Sequence, residues 1–270
     1  MNDVRVSGFK DFTPDGSIYG NVTVSGSGDV MGDLRCMSFT LSGSGDVSGF
    51  VESEGGVVIS GAGDITKYVH AGGNVKISGA GDIGGEVISG GEVRISGAGD
   101  IHGRVECAEF VLSGAGDVGG DVECEGSFTL SGAGDIRGSV KALSVELRGA
   151  GSIKKDVSCE NARLTGASTV GGLLNAEEIY IELGRVHIGE IGCTKLEVRE
   201  KEVRFGHSNN SPLLECKSIE GDDITLTYTV ADVVRGKNIK IGRHCDIKRV
   251  EYSENIEVDD SSAVKSLVRI

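Results

Sequence analysis

The sequence predicts an all-β fold, a single-stranded parallel β-helix (solenoid) with 17–18 residues per coil. Three observations predict it: a six-residue phrase that keeps returning, apolar residues that alternate with period two, and equivalent positions that fall into columns of one chemical type. The phrase is Ser-Gly-Ala-Gly-Asp-Ile, as in Ser60 to Ile65. With small variations it starts at Ser25, Ser42, Ser60, Ser78, Ser96, Ser113 and Ser131, with decayed copies at Arg148 and Thr165. A unit this short cannot bury a core alone, so neighbouring copies must stack.

Alternation supplies the strands. Asn74-Val75-Lys76-Ile77 and Glu92-Val93-Arg94-Ile95 are apolar at every second residue, whereas Ile101, Val105, Phe110 and Leu112 do not follow the spacing of a helix face. Stacked coils bring equivalent residues to ~4.8 Å, so sequence columns become ladders. One inward column reads Val57, Val75, Val93, Phe110, Phe128, Val145, and its partner reads Ile59, Ile77, Ile95, Leu112, Leu130, Leu147. The intervening Lys76, Arg94, Thr129 and Glu146 point outward. Continued through the phrase, the alternation turns Ser, Ala and Asp outward and the two glycines inward. Those glycines serve either a close backbone approach or an unusual turn.

Taken in order, residues 1–21 are an N-terminal cap or incomplete coil, with Val4, Val6, Phe9 and Phe12 as its apolar residues and Pro14-Asp15-Gly16 as a turn. Residues 22–170 are the regular array. Residues 171–270 continue it less regularly, with Ile179-Tyr180-Ile181 and Leu196-Glu197-Val198 keeping the inward pair. The rhythm breaks between Cys193 and Cys216, and the surplus is placed in a polar loop near 204–212. There His207, Asn209 and Asn210 form a candidate contact loop, with a bland inserted corner as the competing reading. Beyond it Val230, Ile247 and Val264 stand 17 apart. Leu267, Val268 and Ile270 close the sequence without a polar segment, so the last coil is expected to expose strand edges and apolar core.

Composition agrees. The chain has 270 residues with 44 glycines, two prolines, no tryptophan and 4% aromatic residues, which suits thin coils with many corners. A formal charge of −14 argues against general nucleic-acid or anionic-membrane binding. There is no apolar run of signal-peptide or transmembrane length, so the expected location is cytoplasmic, with peripheral attachment to the inner face of the membrane through partners as an option. Cys36, Cys107, Cys124, Cys159 and Cys193 share one place in the repeat, filled elsewhere by Ser53, Ala71, Ser89 and Ala142. The column wants a small residue, and packing explains the thiols better than redox or zinc chemistry.

No catalytic constellation emerges. His70, His102, His187, His207 and His244 are scattered, and no nucleophile elbow or phosphate-binding loop is present. The Asp column (Asp29, Asp46, Asp64, Asp82, Asp100, Asp117, Asp135) is the one array of potential ligands. Stacked carboxylates need an offset for their repulsion: solvent screening, hydrogen bonds to corner backbone, or a cation. Calcium β-rolls carry a similar Gly-x-Gly-x-Asp signal at half this period, so the turn reading is preferred and no metal or cofactor is expected. The spacings also depart from the apolar sixfold repeat of hexapeptide acyltransferases.

The rhythm Val-x-Ile-Ser-Gly-x-Gly-x-Ile, as in Val75 to Ile83 running on to Gly85 and Val87, resembles the bactofilins, bacterial polymer-forming cytoskeletal proteins. The resemblance covers residues 22–170 and implies a right-handed helix of triangular section that assembles without nucleotide into filaments. The expected function is a non-enzymatic cytoskeletal scaffold supporting cell shape, envelope or motility processes. Its main partner is itself, end to end, with other bactofilin-like or envelope proteins as further partners. The residues assigned to the polymer interface are Val4, Val6 and Phe9 at one end and Val264, Leu267, Val268 and Ile270 at the other. The alternative is an adhesin-like or ligand-binding solenoid that uses its flat Ser/Ala/Asp face.

Overall fold

A computed structural model describes residues 1–182, 184–200 and 212–270. Among these there is no helix, and the strands pair in parallel, each with its equivalent one coil away. The chain divides into two compact units, Met1–Val140 and Lys141–Ile270, each a parallel β-solenoid.

In the first unit the alternating segments become rungs. Val22, Phe39, Val57, Val75, Val93, Phe110 and Phe128 stand in register, and so do Val24, Leu41, Ile59, Ile77, Ile95, Leu112 and Leu130. Leu34, Val51, Val69, Val87, Val105 and Val122 line a second side. The apolar residue that ends each phrase supplies the third, from Val30 through Ile65 and Ile101 to Ile136. All of these side chains are buried, so the core is a column of like on like. The Phe110 and Phe128 rings stack at 5.2 Å with planes 7° apart.

The two glycines of the phrase are there for close approach, not for a left-handed turn. Gly79 and Gly81 have ordinary φ, but a Cβ on either would overlap the carbonyl oxygen of Gly61 or Gly63 on the preceding coil. The phrase is a side where backbone lies directly on backbone, and only hydrogen fits between.

Residues 1–21 complete a coil in register with the next. Val4 pairs with Val22 and Val6 with Val24, and Phe12 bridges to Val30. Ser7-Gly8-Phe9-Lys10-Asp11-Phe12 is thus a further copy of the phrase, one period before Ser25, disguised by Phe9 at the outward Ala position and Lys10 at the second glycine.

In the second unit the glycine phrase fades and the strands lengthen. Thr169–Glu182, Val186–Arg199, Leu214–Leu226, Thr229–Ile241 and Asp246–Val258 run through their corners. The inward pair Ile179/Ile181 continues to Leu196/Val198, Ile224/Leu226, Ile239/Ile241 and Ile256/Val258. The steps along this column are unequal: the one from Leu196 to Ile224 is by far the longest, and the one from Ile224 to Ile239 is the shortest.

Two sequence assignments are corrected by this register. Cys216 does not continue the column of Cys193: Cys193 pairs with Gly221, while Cys216 lies between Ile188 and Ala231. The long coil therefore runs from Cys193 to Gly221 and carries a larger surplus than the spacing of the two cysteines suggests, because they belong to different small-residue columns. Val230 pairs with Asp246 and is 41% exposed, and it is Ala231 that precedes Ile247 and Val264 in the inward column. The step from Ala231 to Ile247 is one residue shorter than the step from Ile247 to Val264, which accounts for the slip.

Candidate functional site

The residues assigned to the two ends fall into three environments. Val4 and Val6 occupy the first rung of the inward columns headed by Val22 and Val24, Val4 half-buried and Val6 buried. Phe9 is elsewhere: it takes the outward Ala position of its phrase and is 90% exposed. Phe12, bridged to Val30 and packed edge-on against Tyr19 at 5.3 Å, is the aromatic residue that belongs to the core of this coil.

At the other end Val264 stands over Ile247 and Leu267 over Val250, in columns that are fully buried one coil earlier. Leu267 is nevertheless 49% exposed. Val258, the last rung of the column from Ile241, is likewise open to solvent, with Ile256 beside it half-buried. Ile256, Val258, Val264 and Leu267 thus form an apolar end surface. Two of the four were missed from sequence, although Ile256-Glu257-Val258 carries the same alternation as every inward pair. Val268 shares the register of Arg235 and Glu251 and lies on the outer side. Ile270 donates its amide to Tyr252 and lines an outer groove of about 780 Å³ together with Cys159, Cys193 and Gly236.

Electrostatics beside this end are organised around Glu251. Its carboxylate accepts from Nε of Arg235 at 2.7 Å and Nε of Arg249 at 2.6 Å, and its side chain is only 11% exposed. The two guanidinium groups hold its pKa below the usual carboxylate range. Lys237 and Asp222 pair nearby at 2.8 Å.

The Asp column has a defined job. Oδ1 of each residue accepts the backbone N–H of the next Asp in the column: Asp46 from Asp64 at 2.9 Å, Asp64 from Asp82 at 2.8 Å, Asp82 from Asp100 at 2.7 Å, Asp100 from Asp117 at 2.7 Å. The ladder begins at Asp11, which accepts from Asp29 at 3.0 Å. Repulsion between neighbouring carboxylates is offset by charge-assisted bonds to amides that no strand ladder satisfies. Asp33, Asp121 and Asp156 repeat the device at other corners, accepting from Phe50, Ser139 and Leu173.

The remaining cysteines and histidines sit as follows. Cys107 and Cys124 are register neighbours with sulfurs 3.7 Å apart. Burial pushes the Cys36 and Cys159 thiols up to about 11 and those of Cys193 and Cys216 up to about 12, away from thiolate reactivity. His70 contacts Glu86, His187 contacts Glu215, and the His244 ring lies tilted against Tyr228. No group of three or more His, Cys, Asp or Glu fit to hold a metal occurs among the described residues, and no helix there is long and apolar enough to cross a membrane. His207, Asn209 and Asn210 lie outside the described residues.

Residues 68–148 match the bactofilin family, described as polymer-forming cytoskeletal. The chain is similar to two Bacillus subtilis (strain 168) relatives. The uncharacterized protein YhbE is 38% identical over 105 residues, which are 37% of this chain and 44% of that relative. The uncharacterized protein YhbF is 36% identical over 101 residues, 37% of this chain and 42% of that relative. The matched stretch spans less than half the length of either. No solved structure matches.

Proposed function

We propose, on the premise that residues 68–148 are a bactofilin segment, that the whole protein is a non-enzymatic cytoskeletal scaffold whose copies join end to end through their terminal coils. The observation that carries this reading is the end surface of Ile256, Val258, Val264 and Leu267. Each of these continues a column that is buried one coil earlier, and Val258 and Leu267 are 41% and 49% exposed. Stacking a further coil there removes apolar surface at ~25 cal/mol per Å², several kcal/mol for such a cross-section, and pairs a strand edge at the same time. Val4 and Phe12, both half-buried, offer apolar surface on the first coil, beside the buried Val6. Val268, Phe9 and Ile270 point away from these cross-sections and contribute less. A contact with no closing rotation yields an open filament, as a scaffold requires.

In cells such a filament would act as a cytoplasmic support for shape, envelope or motility processes, with other bactofilin-like or envelope proteins as lateral partners. Purified protein in negative-stain microscopy is expected to show filaments, and Leu267→Glu with Val258→Glu is expected to leave short particles of unchanged circular dichroism. Persistent particles of single-chain mass at high wild-type concentration would sink the reading.

A further inference from the structure

The small-residue column of the first unit holds Cys36, Ser53, Ala71, Ser89, Cys107 and Cys124. Packing accounts for a single thiol in it. Cys107 and Cys124, however, occupy adjoining places, and their sulfurs touch at 3.7 Å. The other thiols stand against different side chains: Cys36 against Ser53, Cys193 between Ala176 and Gly221, Cys216 between Ile188 and Ala231. Cys107 with Cys124 is the one contact of two sulfurs among the described residues.

In-register residues on parallel strands have Cα atoms ~4.8 Å apart, within the about 4.4–6.8 Å that disulfides span. Both side chains leave their strands in the same direction, so rotation about the two Cα–Cβ bonds carries the sulfurs from 3.7 Å towards the ~2.05 Å of a bond with the register unchanged. That shared direction also keeps the Cβ atoms near the strand spacing, at the upper edge of the about 3.5–4.5 Å usual for a disulfide. The bond therefore forms under tension and stays reducible.

We propose that Cys107 and Cys124 are a reversible modification site, at which a hydroperoxide makes a disulfide that ties one coil to the next. The thiolate of one cysteine attacks a peroxide oxygen, the O–O bond breaks, and the departing oxygen takes up a proton and leaves as water. The cysteine is then a sulfenic acid. The second thiol attacks that sulfur, the S–O bond breaks, and the hydroxyl leaves with the second thiol's proton as another water. In sum two thiols lose two hydrogens and two electrons, and one hydrogen peroxide is reduced to two waters. A sulfur already in contact captures the sulfenic acid before more peroxide can carry it to sulfinic acid, an escape that Cys36 and Cys193 lack. The two residues are 6% and 5% exposed, so the oxidant has to be small. The bond to Cys107 and burial both push the Cys124 thiol up, so thiolate is scarce and the pair answers sustained oxidation rather than a brief pulse.

The bridge spans 17 residues inside the segment that matches the bactofilin family. It constrains the unfolded chain more than the folded one, so it acts as a latch on this part of the stack. Neither cysteine belongs to an end surface, and the site is independent of how copies join.

The test uses the full folded chain, held in hydrogen peroxide, then denatured, capped with a maleimide and cut with trypsin. Residues 105–137 form one tryptic peptide that contains both cysteines and no other. In oxidised wild type this peptide should be uncapped and lighter by two hydrogens, and dithiothreitol should restore two cappable thiols. Oxidised wild type should also melt several degrees above the reduced protein. In Cys124→Ser, whose serine stands where Ser53 and Ser89 already do, Cys107 should gain oxygen instead and the melting temperature should not rise. Wild-type peptide that keeps both thiols after hours in excess peroxide, or that gains oxygen without bridging, overturns the site. A bridge without a rise in melting temperature, or an equal rise in Cys124→Ser, overturns the latch.

Discussion

Hydrogen in place of a methyl group decides the spacing of the coils. At Gly81 a Cβ would press into the carbonyl of Gly63, and the neighbour cannot yield because it is backbone. Ala80, one residue earlier, points outward and is exposed. Gly81→Ala is therefore expected to cost about 3 kcal/mol, the upper range for overpacking, while Ala80→Ser stays within about 0.5 kcal/mol of wild type. Urea melts of both variants against wild type check the contrast. The alternation turns the glycines inward, whereas a Cβ on them would meet the backbone of the preceding coil; close approach and a positive φ leave the same letter, so the reason for glycine was not legible. It also hid the first copy of the phrase, because Phe9 and Lys10 replace two of its signature residues.

Strand alternation was the most legible feature. The columns through Val75 and Ile77, and the pairs Ile179/Ile181 to Ile256/Val258, follow from period two alone, and the register agrees with them. Corner length was not legible. Strands fix which residues face inward, but a corner that gains or loses residues leaves no periodic trace, so spacing alone puts Cys216 and Val230 one column or one residue away from their true neighbours. The ion pairs of the terminal strands were equally invisible, for Arg235 and Glu251 meet only through the stack. Their pH dependence is predictable. The folded-state pKa of Glu251 is depressed by Arg235 and Arg249, so its stabilisation is fully present above the unfolded value of ~4.3 and is lost as pH falls through the lower folded value. Glu251→Gln should lower the melting temperature at pH 7, and the gap from wild type should narrow as pH falls below about 4.3. A gap that persists unchanged at pH 3 would contradict the pairing.

The Asp ladder satisfies its carboxylates with amides, so folding is expected to need no metal. Thermal melts followed by circular dichroism should superimpose with and without EGTA, and a drop of several degrees on chelation would restore a cation to the ladder. The end surfaces were legible as apolar termini, but which of their residues face along the stack was not. Leu267 and Val268 are adjacent letters on opposite sides of a strand.

The ladder from Asp11 through Asp29 and on to Asp117 hands each hydrogen bond forward by a single coil and never further. Within the ladder, every coil therefore deals with its two neighbours alone. A gene segment of one period, duplicated or deleted in frame within this ladder, restores the ladder's own donors and acceptors at the seam. Length along this part of the stack is in that sense a heritable dial, adjustable in steps of one coil, and the near-identical phrases of residues 60–136 are what recent turns of such a dial would leave behind.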